Sequence, residues 1–362
     1  MLARKLLAMT TNTKPIWVGF DPLQSFIARA LAKVGLPEAD ANQVARLMAQ
    51  ADLQGSDGHG VIRLPQYVRR IQAGGINTRP NIRVVTERAA MALIDGDNGM
   101  GHLVMSHAVD VAMEKARSAG IGWVGARASN HAGPASLYVR KPLEHNMIAL
   151  YFAVGNANHL PPWGGMDMLL STNPIAVGIP AGSEPAVVLD MATTVAAYGK
   201  VKAKANRGEL MPAGWMIDRQ GQPLLDPKRA DEGFLLPIGG HKGYGLALMV
   251  GLLAGTLNGA AMGSAVVDFN HDDSTPTNTG QAVLVIDLAA FAEPAFFKGA
   301  VDQLVRELRG SARLPGVERI WLPGEQSHLK RQKYAVEGIP LIAAQVSDLN
   351  ALALELGIAP LL

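Results

Sequence analysis

His59 and Arg63 stand four residues apart in Ser56-Asp-Gly-His-Gly-Val-Ile-Arg-Leu-Pro-Gln-Tyr67, and their side chains complement each other. An imidazole exchanges a proton near neutral pH. A guanidinium holds a carboxylate through two parallel, charge-assisted hydrogen bonds. If Val61 to Tyr67 is helical or nearly so, both side chains fall on one side of the segment. Pro65 predicts an irregular or N-terminal turn there, because an interior proline would break the hydrogen-bond ladder. Proton transfer beside a bound carboxylate is the chemistry this pair suits; a His in a Gly-rich turn next to a surface Arg is the plainer reading. Further His residues flanked by Gly or Asn follow at His131, His159 and His241.

Four downstream segments add polar groups of the right kind. Ser129-Asn-His-Ala-Gly-Pro-Ala135 puts His131 on a small-residue turn after a strand, where backbone N–H groups can meet phosphate oxygens. Ser171-Thr-Asn-Pro174 brings hydroxyl and amide donors, Thr172 among them, to a strand entry. Leu189-Asp-Met-Ala-Thr-Thr194 ends an apolar strand in the Asp190 carboxylate, with Thr193 or Thr194 placed to cap a following helix. Gly239-Gly-His-Lys-Gly-Tyr-Gly245 surrounds the His241-Lys242 pair with small residues ahead of a helix expected from near Tyr244, a setting for an anionic ligand. Taken singly, Asp190 reads equally as a cap and Lys242 as a solvated charge. Together with the His59 loop, these segments argue against an all-structural account.

The elements that must position these groups follow from apolar periodicity. Asp21–Gln54 reads as helix in two pieces, broken at Gly35-Leu-Pro37. Arg83–Asp95 is β-rich, Asp97-Asn-Gly-Met-Gly101 is a turn, and a helix runs from about His102 to Ala119. Strands are expected at Gly120–Ala126, Met147–Val154, Pro174–Ile179, Ala186–Leu189 and Val283–Asp287. Helical pattern covers Thr193–Ala205, Gly243–Leu257 and Ala295–Arg309. A C-terminal helix over Ser347–Leu356, capped by Ser347, is expected to pack back on the N-terminal helices.

Bulk properties exclude several classes. The 362 residues are 48% hydrophobic and 18% charged, which describes a globular chain with room for two or three domains. A net charge of +2 without a dense Lys/Arg stripe leaves no footprint for nucleic acid. The absence of cysteine removes disulfides, thiolate chemistry and cysteine-ligated zinc, and suits a reducing cytoplasm. The scattered His residues lack close-spaced carboxylate ligands, so no metal is expected and a metallohydrolase is disfavoured. Leu246–Leu257, an apolar run interrupted by Gly, falls short of a membrane span. The start through Pro15 has no apolar core long enough for a secretory signal and is expected to be a short disordered extension. The Gly-x-Gly-x-x-Gly fingerprint is absent, as are the Gly-x-x-x-x-Gly-Lys-Ser/Thr loop and His-Glu-x-x-His.

His59-Gly-Val-Ile-Arg-Leu-Pro65, Ser129-Asn-His-Ala-Gly133, Pro161-Pro-Trp-Gly-Gly165, Thr172-Asn-Pro174, Leu189-Asp-Met-Ala-Thr193, Gly240-His-Lys-Gly-Tyr-Gly-Leu246 and Leu322-Pro-Gly-Glu325 occur in this order. In combination they resemble the malate/L-lactate dehydrogenase family that is unrelated to Rossmann-type lactate dehydrogenases, from about Asp21 onward. The resemblance implies an NAD(P)-dependent oxidoreductase interconverting a 2-oxo acid and a 2-hydroxy acid. It also implies a homodimer whose active site lies between domains and near the subunit interface. The implied fold is α+β, with a mostly antiparallel sheet in the cofactor domain, no Rossmann fold, and a helical domain built from both termini. The expected division is an extension over 1–20, a helical substrate domain over 21–125 and 300–362, and an NAD(P)-binding domain over 126–299. By matching motif, His59 is the proton donor and Arg63 the carboxylate ligand. His131, Ala132, Gly133, Pro134 and Ala135 match a cofactor-binding turn, and His131 a catalytic role found in some members. Thr172 matches a substrate or nicotinamide contact. Asp190, Met191, Ala192, His241, Lys242, Pro323, Gly324 and Glu325 match further cofactor-binding positions. Many members carry Ser immediately before the catalytic His, assigned as its relay partner in the cyclic imino-acid reductases of the family. Gly58 occupies that place here, which weakens the alternative of a Δ1-piperideine- or pyrroline-2-carboxylate reductase. A non-catalytic dinucleotide-binding relative is the other alternative.

Overall fold

The structure, a computed structural model, describes residues 15–362, apart from the side chain of Asn206. The chain divides into two compact units, one of residues 1–68 with 329–362 and the other of residues 69–328.

In the first unit, β1 (Ile16–Val18) pairs antiparallel with β11 (Ile339–Leu341), tying the two ends of the chain together. Helix α1 (Phe20–Lys33) buries Leu23, Phe26, Ile27, Ala30 and Leu31 along one face. Gly35, at φ +106°, ends it as expected. Helix α2 (Glu38–Leu53) then returns with Val44, Ala45, Met48 and Ala49 inward. Helix α10 (Ala343–Leu356) packs on α1 through an apolar face that includes Val346, Leu349 and Leu352, as the sequence predicts. It starts earlier than expected: Ile342 is the N-cap, without a side-chain cap bond, and Ser347 lies inside the helix rather than capping it. Of the expected extension, residues 1–14 lie outside the described residues, while Ile16–Val18 is strand. The chain leaves this unit within α3 (Leu64–Gln72) and returns within α9 (Glu325–Glu337).

The second unit is built on a seven-stranded sheet in the order β2-β3-β4-β10-β5-β6-β7. Its strands are β2 (Arg83–Arg88), β3 (Met91–Gly99), β4 (Ile121–Ser129), β5 (Met147–Ala153), β6 (Ile175–Ile179), β7 (Val187–Met191) and β10 (Gln281–Asp287). Only β3 and β4 run parallel, and α4 (Gly101–Ala119) supplies the crossover that a parallel pair requires. The sheet is thus mostly antiparallel, as expected. Helix α4 covers one face, where Gly122 stands so close to the Ala112 carbonyl that a Cβ would lie 2.2 Å from it. On the other face Gly125 meets the Asn258 amide, where a Cβ would lie 2.0 Å from Oδ1. Helix α5 (Ser136–Leu143) packs on β5 and β6, and α7 (His241–Ala254) on β5 and β10. A β8–β9 hairpin (Met216–Asp218, Gly233–Leu235) accompanies α6 (Tyr198–Arg207), and α8 (Pro294–Gly310) follows the sheet.

Several boundaries differ from the sequence reading. The divisions expected at 125/126 and 299/300 fall inside β4 and α8, whereas the compact units meet at Val68/Arg69 and His328/Leu329. The turn expected at Asp97–Gly101 is an irregularity within β3, where Asp97 and Asn98 take positive φ (47° and 56°) and the register with β4 shifts. Helix α6 starts at Tyr198, not Thr193, because Thr194 bridges to Pro237 and the Val195 N–H donates to the Leu236 carbonyl. Helix α7 begins at His241 and stops at Ala254. Among the described residues, no helix is long and apolar enough to cross a membrane.

Candidate active site

After α2, the chain folds back through Gly55 (φ +77°), and the His59 N–H donates to the Ser56 carbonyl at 2.9 Å. A single 3-10 turn, Val61–Arg63, leads into α3, whose second residue is Pro65. The proline thus occupies the N-terminal turn predicted for it, where its missing N–H costs nothing. Arg63 is anchored from its own loop: Nε donates to the Gly58 carbonyl (3.0 Å) and Nη1 to Gln66 Oε1 (2.9 Å). Among the described residues no Asp or Glu forms an ion pair with it, so a half-buried cation stands without a protein counter-charge. His59 is half-buried too. Burial first, and the Arg63 charge second, push its pKa from 6.5 down to about 4. The imidazole is therefore neutral at pH 7. Burial also raises the pKa of the neighbouring Tyr67 phenol, which holds it un-ionised.

In the second unit, β4 ends at Ser129 and the fully buried Asn130 locks the turn that follows. Its amide donates to the Asn98 and Gly99 carbonyls, and its Oδ1 accepts from the Thr277 hydroxyl at 2.8 Å. His131 comes next and stacks on Phe269, centroids 5.4 Å apart and 25° between planes. The buried Arg70 lies 4.7 Å from the same ring, held by the Asp272 and Thr275 carbonyls. Ala132, Gly133 (φ +76°), Pro134 and Ala135 complete the turn, and the Ala132 carbonyl accepts from the Tyr138 hydroxyl.

Hydrogen bonds bring most of the expected cofactor segments of this unit together. The Ser136 N–H donates to Asp190 Oδ2 (2.8 Å), joining the His131–Ala135 turn to Asp190-Met-Ala192. The Asp190 carboxyl is solvent-accessible yet hemmed in; the protein around it raises its pKa, and Ser136 pulls the other way. The Thr172 carbonyl accepts both the N–H and the hydroxyl of Thr193 (2.8 and 2.9 Å). Asn173, at φ +23°, donates to the Ala247 carbonyl (2.8 Å), and the Ile238 N–H donates to the Thr193 carbonyl (3.0 Å). Thr172, Asp190–Ala192 and the start of α7 thus share one end of the β6–β7 pair.

Gly239 and Gly240, at φ +58° and +64°, aim the α7 N-terminus. His241 and Lys242 are exposed there, with His241 edge-on to Trp163 at 6.4 Å. The first N–H groups of a helix lack intrahelical partners and carry partial positive charge. Together with the Lys242 ammonium they make a surface of the kind that attracts an anionic group, and the turn around Gly133 offers the same kind of surface. Pro323-Gly-Glu325 is placed differently. Its Pro323 carbonyl accepts from the Val188 N–H (3.1 Å), while the buried Glu325 carboxylate is taken up by Arg309, Arg319 and the Leu322 N–H. Only the backbone of that segment is left to meet a cofactor. His159, singled out by its Asn neighbour, stacks on Tyr198 at 4.2 Å, and burial lowers its pKa to about 4. Asp52, Arg70 and Phe269 escaped the sequence reading; no motif marks them, and only the fold places them beside the His residues.

The chain matches the family model described as malate/L-lactate dehydrogenase over residues 18–350. It is 39% identical over 347 residues to the malate dehydrogenase of Pyrococcus abyssi, covering 93% of this chain and 94% of that protein. It is 34% identical over 338 residues to the Δ1-pyrroline-2-carboxylate/Δ1-piperideine-2-carboxylate reductase of Pseudomonas syringae pv. tomato, covering 93% and 96%. The solved structure of sulfolactate dehydrogenase from Methanocaldococcus jannaschii superposes with a TM-score of 0.88 at 34% identity, covering 95% of this chain and 98% of the other. Sequence and fold agree over nearly the whole length, and the chain belongs to the malate/L-lactate dehydrogenase family.

Proposed function

We propose that this protein is a nicotinamide-dependent oxidoreductase that interconverts a 2-oxo acid and its 2-hydroxy acid. The observation that carries the reading is the His59–Arg63 loop: a neutral, half-buried imidazole and a guanidinium with no acidic partner among the described residues, fixed in one short turn. Arg63 binds the substrate carboxylate through its fork and so orients the adjacent carbonyl. Its charge disfavours the imidazolium of His59, and a bound carboxylate offsets that charge, so substrate raises the proton affinity of His59 where it is needed. In the reductive direction His59 hands a proton to the developing alkoxide; in the oxidative direction its neutral form takes the hydroxyl proton. Hydride donation and acceptance is the chemistry supplied by NAD or NADP when bound. The second unit is read as its binding domain, through the turn from His131 to Ala135, Asp190 to Ala192, His241 and Lys242, and the backbone of Pro323 to Glu325. Thr172 is read as a substrate or nicotinamide contact and His131 as a second catalytic group. The first unit is read as the substrate domain. A homodimer and a cytoplasmic location belong to the same proposal.

A panel of 2-oxo acids, including oxaloacetate, assayed with NADH and NADPH beside Δ1-piperideine-2-carboxylate, tests it. The expected result is turnover of a 2-oxo acid that collapses in His59→Ala with cofactor binding retained. No turnover of any 2-oxo acid, or a variant keeping more than about a tenth of wild-type kcat, overturns it, because general acid catalysis is worth about 100-fold or more.

A further inference from the structure

Asp52 sits in the last turn of α2 and is 2% exposed. Three features of that place disfavour a carboxylate. The carbonyl ends of the helix point negative charge at it. Burial strips its water, and Asp57 adds a second negative charge nearby. Against these stands one bond: the Val61 N–H donates to Oδ2 at 2.7 Å. The other oxygen, Oδ1, is buried and has no hydrogen-bond partner among the described residues. Leaving a buried polar atom unpaired is unfavourable, so the acid is not there for the sake of the core. The rest of the inward face of α2 is Val, Ala and Met, so the core gains nothing from an acid here.

What the acid does is fasten the next loop. Gly60 lies so close to it that a Cβ would stand 2.0 Å from Oδ1 and 2.3 Å from Oδ2. Val61, whose N–H it holds, opens the 3-10 turn that carries Arg63. The carboxyl therefore grips the backbone midway between the two groups that would handle the substrate.

We propose that Asp52 is a positioning residue: its carboxyl clamps Gly60 and Val61 and thereby sets where His59 and Arg63 stand. The clamp acts through the backbone and not through charge. The influences that depress His59 are burial and Arg63, with Asp52 absent from them. Burial also holds the Asp52 carboxyl pKa well above the usual carboxylate range, so a neutral acid can do the fastening. Its kinetic consequence rests on the function proposed above; its geometric consequence does not.

The test uses Asp52→Asn, Asp52→Ala and Gly60→Ala in the full-length protein, with steady-state kinetics, NADH binding by fluorescence and NMR titration of His59. Asp52→Ala and Gly60→Ala are expected to lose about tenfold or more in kcat/KM for the 2-oxo acid, the scale of a displaced reacting group. Both should move the His59 titration while NADH affinity stays within about twofold, since the cofactor elements are untouched. Asp52→Asn keeps the shape and an acceptor, and should retain kcat/KM within about threefold and the wild-type His59 titration. Wild-type kinetics and titration in Asp52→Ala would overturn the clamp. So would an Asp52→Asn as impaired as Asp52→Ala, which would put the charge to work instead. Gly60→Ala, which leaves the acid in place, carries the test if Asp52→Ala does not fold. A wild type inactive on every 2-oxo acid, with the His59 titration still displaced in Asp52→Ala, would leave the clamp standing and remove only the reaction.

Discussion

Acidification should expose how much the fold spends to keep His59 neutral. In the unfolded chain the imidazole titrates at its ordinary 6.5, and in the folded protein at about 4. Above pH 6.5 both states are neutral and the stabilisation is fully present. As the pH falls below 6.5 the unfolded chain takes up the proton first, so stability declines until the folded site also protonates near pH 4. The whole gap corresponds to about 3 kcal/mol, of which about 2 kcal/mol is gone by pH 5. His159, depressed to about 4 mainly by burial, should contribute a loss of the same sign and size. Urea unfolding of wild type, His59→Gln and His159→Gln at pH 8 and pH 5 isolates each share. Wild type should lose about 2 kcal/mol more than either variant over that interval. If His59→Gln loses stability in parallel with wild type, to within about 0.5 kcal/mol, the imidazole is not held neutral by the fold and His59 does not enter the reaction as a pre-set neutral base.

Three further outcomes are expected. Arg63→Lys keeps the charge but loses the fork, so kcat/KM on 2-oxo acids should fall by about 2–4 kcal/mol in transition-state terms, while any activity on uncharged ketones changes far less; equal losses on both would mean that Arg63 supports the loop rather than reading the carboxylate. Lys242→Ala, at the exposed start of α7, should weaken NAD(P)H binding more than it lowers the saturated rate, and an unchanged dissociation constant by fluorescence titration would remove Lys242 from the cofactor site. Gly58→Ser should melt like wild type, because a Cβ there meets nothing within 4 Å, and should raise turnover of Δ1-piperideine-2-carboxylate relative to 2-oxo acids; a ratio unmoved by the hydroxyl would separate the imino-acid chemistry from this position.

The long apolar elements were legible because their burial follows local periodicity: α1, α2, α4, α8, β4, β5 and β10 lie close to where the pattern places them. The parts that were not legible depend on distant partners. The three-residue strands β1 and β11 exist only through each other, and β8 and β9 likewise. Helix α9 has little apolar content to betray it, and α5 ends in Arg-Lys-Pro-Leu, which reads as loop. Thr193–Ala197 looked helical because Ala and Val fit a helix, but bonds to Leu236 and Pro237 hold it extended. At the candidate site, Pro65 announced its turn, and the motif residues showed by type which groups to look for. The stack of His131 on Phe269 and the grip of Asp52 on Gly60 could not be read, since each joins positions that no local spacing relates.

The place of β10 in the sheet sets an order of events at the ribosome. It pairs with β4 on one side and β5 on the other, residue for residue, yet both neighbours are synthesised far ahead of it. Until Gln281–Asp287 emerges, β4 and β5 each present an edge of unpaired backbone N–H and C=O groups, the kind of surface that recruits foreign strands. Closing such a distant pairing is slow, because the loop entropy is lost before any contact repays it. A nascent or truncated chain ending before β10 should therefore be a client for holding chaperones and prone to aggregate, while one reaching past Asp287 can complete the sheet. Synthesis speed across the segment between β7 and β10 is then a determinant of yield, independent of how stable the finished protein is.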